Sequence, residues 1–112
     1  MDDQLKQRIE EVLGTKKIVL FMKGTKSFPQ CGFSATVVEV LKRLDADFHT
    51  VDILKDPDLR QGMKDYANWA TFPQLYVEGR FVGGCDIVRE MYQAGELQPI
   101  IDQAMGRAAP TA

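Results

Sequence analysis

Residues 18 to 41 read IVLFMKGTKSFPQCGFSATVVEVL, and the order of elements in this stretch decides the fold. Ile18, Val19, Leu20, Phe21 and Met22 form a continuous apolar run rich in β-branched residues, which suits a strand covered on both faces. Val37, Val38 and Leu41, with Leu44 just beyond, recur on one helical stripe. Lys23 to Gln30 is the loop between them. A second strand, predicted over Phe48 to Ile53, completes a strand-helix-strand unit, and such units cross over right-handed between parallel strands. Upstream, Leu5, Ile9, Val12 and Leu13 repeat at helical spacing behind Asp2 or Asp3, with Gly14 as the stop. Downstream, Asp56-Pro57 supplies an N-cap and a first-position proline for a third helix with Leu59, Met63, Tyr66 and Ala67 facing inward. Gln74 to Val77 and Arg80 to Val82 flank Glu78-Gly79, a hairpin signal. A helix from about Cys85 to Ala94 stops at Gly95, and Leu97, Ile100, Ile101 and Ala104 predict a final one. The result is an α/β domain, a central four-stranded mixed sheet flanked by about five helices on both faces. Ligands of such sheets bind beyond the carboxyl ends of the strands, where the Lys23 to Cys31 loop leaves the first strand.

The 112 residues, 45% hydrophobic and 27% charged, match one domain over 1–112. Its core is expected over about 5–105, and 107–112 are expected to fray. A net charge of −2 offers no positive field for nucleic acid or anionic lipid. The longest apolar run falls far short of a membrane helix. Met1 to Lys6 opens on charge without an apolar h-region, so the expected setting is a reducing cytoplasm without a structural disulfide.

Cys31 stands immediately before the second helix, in Pro29-Gln30-Cys31-Gly32-Phe33-Ser34. Unpaired N–H groups and the helix dipole favour a thiolate there, able to attack a disulfide or bind a soft metal. The plainer reading is a small buried side chain, against which the flanking Gly32 and Pro29 argue for an exposed turn. Ser34 occupies the place of the second cysteine of a C-x-x-C pair, so a local dithiol cycle is excluded and any exchange uses Cys85 or a small thiol. Cys85 follows Gly83-Gly84. Those glycines serve either close approach of a ligand at a helix N-terminus or a tight strand-to-helix turn. Lys23 and Arg60 are candidate carboxylate partners, although most single basic residues are solvated surface. Thr71-Phe72-Pro73-Gln74 puts proline at a strand start, where a cis bond is admissible but trans is the commoner state. His49, the only histidine, reads as structural. One histidine and two distant cysteines cannot assemble a zinc or iron-sulfur site within one chain.

As a set, Phe21-Met22-Lys23-Gly24, Cys31-Gly32-Phe33-Ser34, Trp69 with Thr71-Phe72-Pro73-Gln74, and Gly83-Gly84-Cys85-Asp86 resemble the monothiol glutaredoxins of the CGFS class, over roughly residues 5 to 105. The spacing from Lys23 to Cys31 resembles that class rather than the dithiol one. The resemblance implies a thioredoxin-like fold and a glutathione site. Lys23 and Arg60 would take the glycine carboxylate, and Phe72, before a cis-Pro73, would pair with the cysteinyl part. Cys85 and Asp86 would hold the γ-glutamyl end, and Thr71 joins this binding set. It also implies a [2Fe-2S] cluster shared by a homodimer, with Cys31 and one glutathione thiol from each side, and BolA-type proteins and iron-sulfur acceptors as partners. Little or no oxidoreductase turnover goes with that reading. The alternative is a glutathione-dependent thiol-disulfide oxidoreductase working through Cys31, resolved by a second glutathione or by Cys85. A third is an interaction module without a cofactor. Lys26 and Ala70 depart from the common family pattern and are expected to loosen the loops that frame glutathione.

Overall fold

The computed structural model describes residues 1–107. Helices α1 (Asp3–Leu13), α2 (Gly32–Arg43), α3 (Pro57–Ala67), α4 (Cys85–Gln93) and α5 (Leu97–Ala104) surround strands β1 (Ile18–Met22), β2 (His49–Asp52), β3 (Gln74–Val77) and β4 (Arg80–Gly83). The sheet order is β2-β1-β3-β4. β2 runs parallel to β1, and β3 and β4 follow antiparallel, giving the mixed sheet expected from the sequence.

Strand β1 is buried along its whole length, and its side chains alternate between two cores. Ile18, Leu20 and Met22, with Leu75 and Val77, pack under α2, α4 and α5. Val19 and Phe21, with Tyr76, pack under α1 and α3. The helix starts follow local chemistry. Asp2 accepts from the Leu5 N–H at 2.7 Å, and Asp56 accepts from Leu59 N–H at 3.1 Å while pairing with Arg8. Glu78 and Gly79 both take positive φ, 52° and 77°, as a two-residue turn between right-twisted strands requires.

Three expectations need correction. Strand β2 stops at Asp52, because the Asp52 carboxylate accepts from Leu54 N–H at 3.0 Å and bends Ile53–Lys55 into a 3-10 turn. Tyr66, assigned to the inner face of α3, is exposed, and Gly62 is buried on that helix instead. Arg107 is not frayed, and 108–112 lie outside the described residues. Its guanidinium donates to the carbonyls of Leu44 at 2.9 Å and Asp45 at 2.8 Å, and meets the buried Asp102 carboxylate at 3.0 Å. It therefore serves open carbonyls at the end of α2 and ties that end to α5.

Arg107→Ala would leave Asp102 buried without its cation and the α2 carbonyls without these donors. The expected loss is about 2 kcal/mol of unfolding free energy, read from urea denaturation. An unchanged midpoint would show that the clasp contributes nothing.

Candidate functional site

Strand register gathers the site at one end of the sheet. Phe21 pairs with Gln74, so the end of β1 leading to Lys23 lies beside the start of β3, just after Pro73. Leu75 pairs with Gly83, which brings the Gly84-Cys85 start of α4 to the same end. Between these segments opens a cleft of about 440 Å³, a size suited to a small peptide or metabolite. It is lined by Lys23, Cys31, Phe33, Trp69, Thr71, Phe72, Pro73, Gly84, Cys85, Asp86 and Ile87. The Phe72-Pro73 bond is cis, in keeping with the resemblance and against the general preference for trans.

Two helix N-termini open on this cleft, α2 behind Cys31 and α4 behind Gly84, and neither carries a side-chain cap. Cys31 is half-buried, and its thiol pKa is lowered first by the Ser34 backbone N–H. Burial opposes this, while the Phe33 N–H, the Lys23 charge and the Ser34 hydroxyl lower it further. Ser34 is itself fully buried, and its hydroxyl accepts from Lys23 N–H at 3.1 Å. Its role thus exceeds the absence of a second thiol, binding the helix start to the end of β1. Cys85 shows the opposite balance. Burial raises its pKa first, and the Asp86 and Cys31 charges add to this against Arg89 and Thr36. The cleft holds one thiol poised to ionise and one held neutral.

The loop before Cys31 is tied down. Gly24 takes φ 94°, and a Cβ there would lie 2.5 Å from Gln30 N, so only glycine fits. Its N–H donates to Asp52 at 3.0 Å, and Gln30 N–H donates to the Lys23 carbonyl at 2.9 Å. Lys26, expected to loosen the loop, anchors it instead. Its ammonium donates to the Phe48 carbonyl at 2.6 Å and sits 4.0 Å from the centre of the Phe48 ring. Ala70 is exposed, and nothing in the structure explains its departure.

The strand-to-helix turn does not need Gly83-Gly84 for its dihedrals, since neither residue has a positive φ, but packing demands both. A Cβ on Gly83 would strike Ile87 at 2.7 Å, and one on Gly84 would press Trp69 Nε1 at 3.2 Å. These glycines let α4 and the indole close onto the strand end.

Of the sequence-derived candidates, Lys23, Cys31, Thr71, Phe72, Pro73, Cys85 and Asp86 all line the cleft. Arg60, on α3, is half-buried outside that lining, and its Nε is buried without a hydrogen-bond partner among the described residues. His49 lies on β2 beside Val19, away from the cleft. Phe33 and Trp69, legible only as parts of motifs, Gly84, with its ligand-approach reading, and Ile87, which no motif carried, also line the cleft. Phe33 is 61% exposed beside the reactive thiol, and a large apolar side chain at a helix start was the available signal. Trp69 packs at a tilt against Phe81 with ring centres 5.6 Å apart, a contact that no local pattern announces.

The sheet order, the cis-proline and the cysteine at a helix start define a thioredoxin-like protein with a single activated thiol. A family model described as glutaredoxin matches residues 18–82. The chain belongs to the glutaredoxin family, as a monothiol member. Chloroplastic monothiol glutaredoxin-S7 of Oryza sativa is 54% identical over 102 residues, 91% of this chain and 61% of that protein. The chain thus spans about 60% of the length of such plastid relatives. A ycf64-like monothiol glutaredoxin of Synechocystis is 50% identical over 105 residues, covering 94% of this chain and 98% of that one. The solution structure of reduced poplar apo GrxS14 superposes with a TM-score of 0.81 at 57% identity, covering 91% of this chain and 94% of its own. A buckwheat glutaredoxin solved as its glutathione complex shares the fold at a TM-score of 0.80 and 23% identity, over 96% of this chain and 99% of that one.

At neutral pH, iodoacetamide is expected to modify Cys31 well before Cys85, as peptide mass analysis would show. Because the Cys31 pKa is lowered, its rate falls only as the pH drops through that lowered value. Ser34→Ala raises the pKa and slows the reaction at fixed pH, and an unchanged titration curve would remove the hydroxyl from the balance. Lys26→Ala should speed amide exchange at Thr25, Phe28 and Gln30 by about tenfold, read by hydrogen-exchange NMR. Unchanged exchange there would mean that the anchor does not hold the loop.

Proposed function

We propose that this chain binds glutathione in the cleft and, as two copies, carries a [2Fe-2S] cluster as cargo for iron-sulfur assembly and transfer. The observation that carries the reading is the pairing of one accessible, low-pKa thiol at Cys31 with Ser34 in place of a second. Among the described residues no group of three or more histidine, cysteine or acidic side chains could hold a metal. On this reading the four thiolates are Cys31 from each of two copies and one thiol from each of two glutathiones, as the family resemblance implies.

The cleft suits that tripeptide. Lys23 supplies a cation beside Cys31, and Arg60, with a buried Nε that lacks a partner, is assigned with it to the glycine carboxylate. Thr71 and the Phe72 backbone face the middle of the ligand. The uncapped start of α4, at Cys85 and Asp86, offers N–H groups to the γ-glutamyl carboxylate and an acid to its amine. The buckwheat complex, of the same fold, supports a glutathione ligand. Homodimerisation around the cluster, BolA-type proteins and iron-sulfur acceptors are the partners this reading entails. Its setting is a reducing compartment, the cytoplasm or the plastid named for the rice and Arabidopsis relatives. Among the described residues no helix is long and apolar enough to cross a membrane.

The position of Cys85 in the same cleft favours thiol exchange as the second reading. Cys31 thiolate would attack a glutathione mixed disulfide, and the substrate thiolate would leave. Cys31, now glutathionylated, would be freed by a second glutathione, which leaves as glutathione disulfide, or would be attacked by the Cys85 thiol to give a Cys31–Cys85 disulfide with release of glutathione. That disulfide would then be reduced by two further glutathiones.

Anaerobic reconstitution with iron, sulfide and glutathione, followed by size-exclusion chromatography with visible absorbance, tests the carrier reading. A coloured dimer with two irons and two glutathiones is expected, and Cys31→Ser should yield a colourless monomer. A colourless wild-type monomer with turnover on a glutathionylated substrate would transfer the assignment to thiol exchange.

A further inference from the structure

Behind the segment that frames the cleft lies a buried polar pair. Gln74, the first residue of β3, is fully buried, and its Nε2 donates to the carbonyls of Trp69 at 3.2 Å and Thr71 at 3.3 Å. Its Oε1 accepts from the Tyr76 hydroxyl at 3.1 Å, two residues along the same face of the strand. Tyr76 is wedged between Phe21 and Phe81, with ring centres 5.5 and 5.4 Å away. Burial pushes its phenol far above the usual tyrosine range, so the hydroxyl is a donor at every working pH. A buried amide is costly unless its groups are used, and here the Gln74 oxygen and amino group both find partners.

We propose that Gln74, oriented by Tyr76, is a positioning residue for glutathione: by holding the Trp69 and Thr71 carbonyls on the core side, it aims the Phe72 N–H into the cleft as a donor to the ligand's backbone. The Thr71–Phe72 peptide is trans, so its C=O and N–H point in opposite directions. With the Thr71 oxygen fixed toward Gln74, the Phe72 N–H turns the other way, and Thr71, Phe72 and Pro73 all line the cleft. Neither Gln74 nor Tyr76 lines the cleft itself. The inference rests on the glutathione reading above.

Calorimetric titration of glutathione into wild type, Gln74→Glu and Tyr76→Phe from about pH 8 to about pH 5.5, with amide NMR alongside, tests it. Gln74→Glu should bind roughly tenfold more weakly at the high end, where a carboxylate faces two carbonyls and has no proton to give. Affinity should recover as the pH falls and the buried carboxyl takes up its proton, while wild type shows no such gain. The shift of the Phe72 amide on adding glutathione should vanish and return with it. Tyr76→Phe keeps the ring and loses the orienting hydroxyl, so about threefold weaker binding is expected. That variant carries the test if Gln74→Glu fails to fold. Equal affinity in wild type and every folded variant, or a Gln74→Glu loss that ignores pH, would overturn the proposal and leave glutathione binding intact. No binding by wild type would overturn the glutathione reading and this inference with it.

Discussion

The pairing of β1 with β3 in the register Phe21 to Gln74 is the constraint from which the site follows. Side chains alternate across a sheet, so a slip of β1 by one residue would turn Phe21 out of the core it shares with Tyr76 and put Ile18 and Leu20 in the wrong layer. The same slip would separate Lys23 from Pro73. With apolar packing demanded on both faces of β1, the core chooses the register, and the cleft is what that choice leaves open at the strand ends.

Electrostatics then divides the labour between two thiols in one cavity. Cys31 and Cys85 each sit at a helix N-terminus, where the dipole favours a thiolate. Burial decides between them. Cys85 lies deep enough for desolvation to win, while Cys31 is open enough for the N–H groups of Ser34 and Phe33 to prevail. The more readily ionised sulfur is thereby Cys31.

Much of the fold was legible because its punctuation is local. Asp2, Asp56-Pro57, Gly14 and Glu78-Gly79 act within a turn of themselves, and the elements begin or end where they stand. The misjudged positions depend on distant partners. Asp52 ends β2 while also holding Gly24, and Arg107 is ordered by Leu44, Asp45 and Asp102. Lys26 stiffens its loop through Phe48, beyond any local window. In the site, the candidate residues carried by motifs fell in the cleft, and Arg60, which no motif carried, lies outside its lining. Trp69 was legible only as part of a motif, without a role, and Ile87 not at all, since an indole and an aliphatic chain acquire a role only once Gly83 and Gly84 let them close on the strand end.

The aromatic rings of Phe21, Tyr76, Phe81 and Trp69 form an unbroken run from the core to the cleft wall, with successive centres 5.4 to 5.6 Å apart. Trp69 is the only tryptophan, so the indole emission of the protein arises at a single place. Excitation absorbed by the buried Tyr76 ring drains toward that indole, which borders both the activated thiol's cavity and solvent. The molecule thus carries its own unlabelled optical reporter, seated in the wall of the cleft.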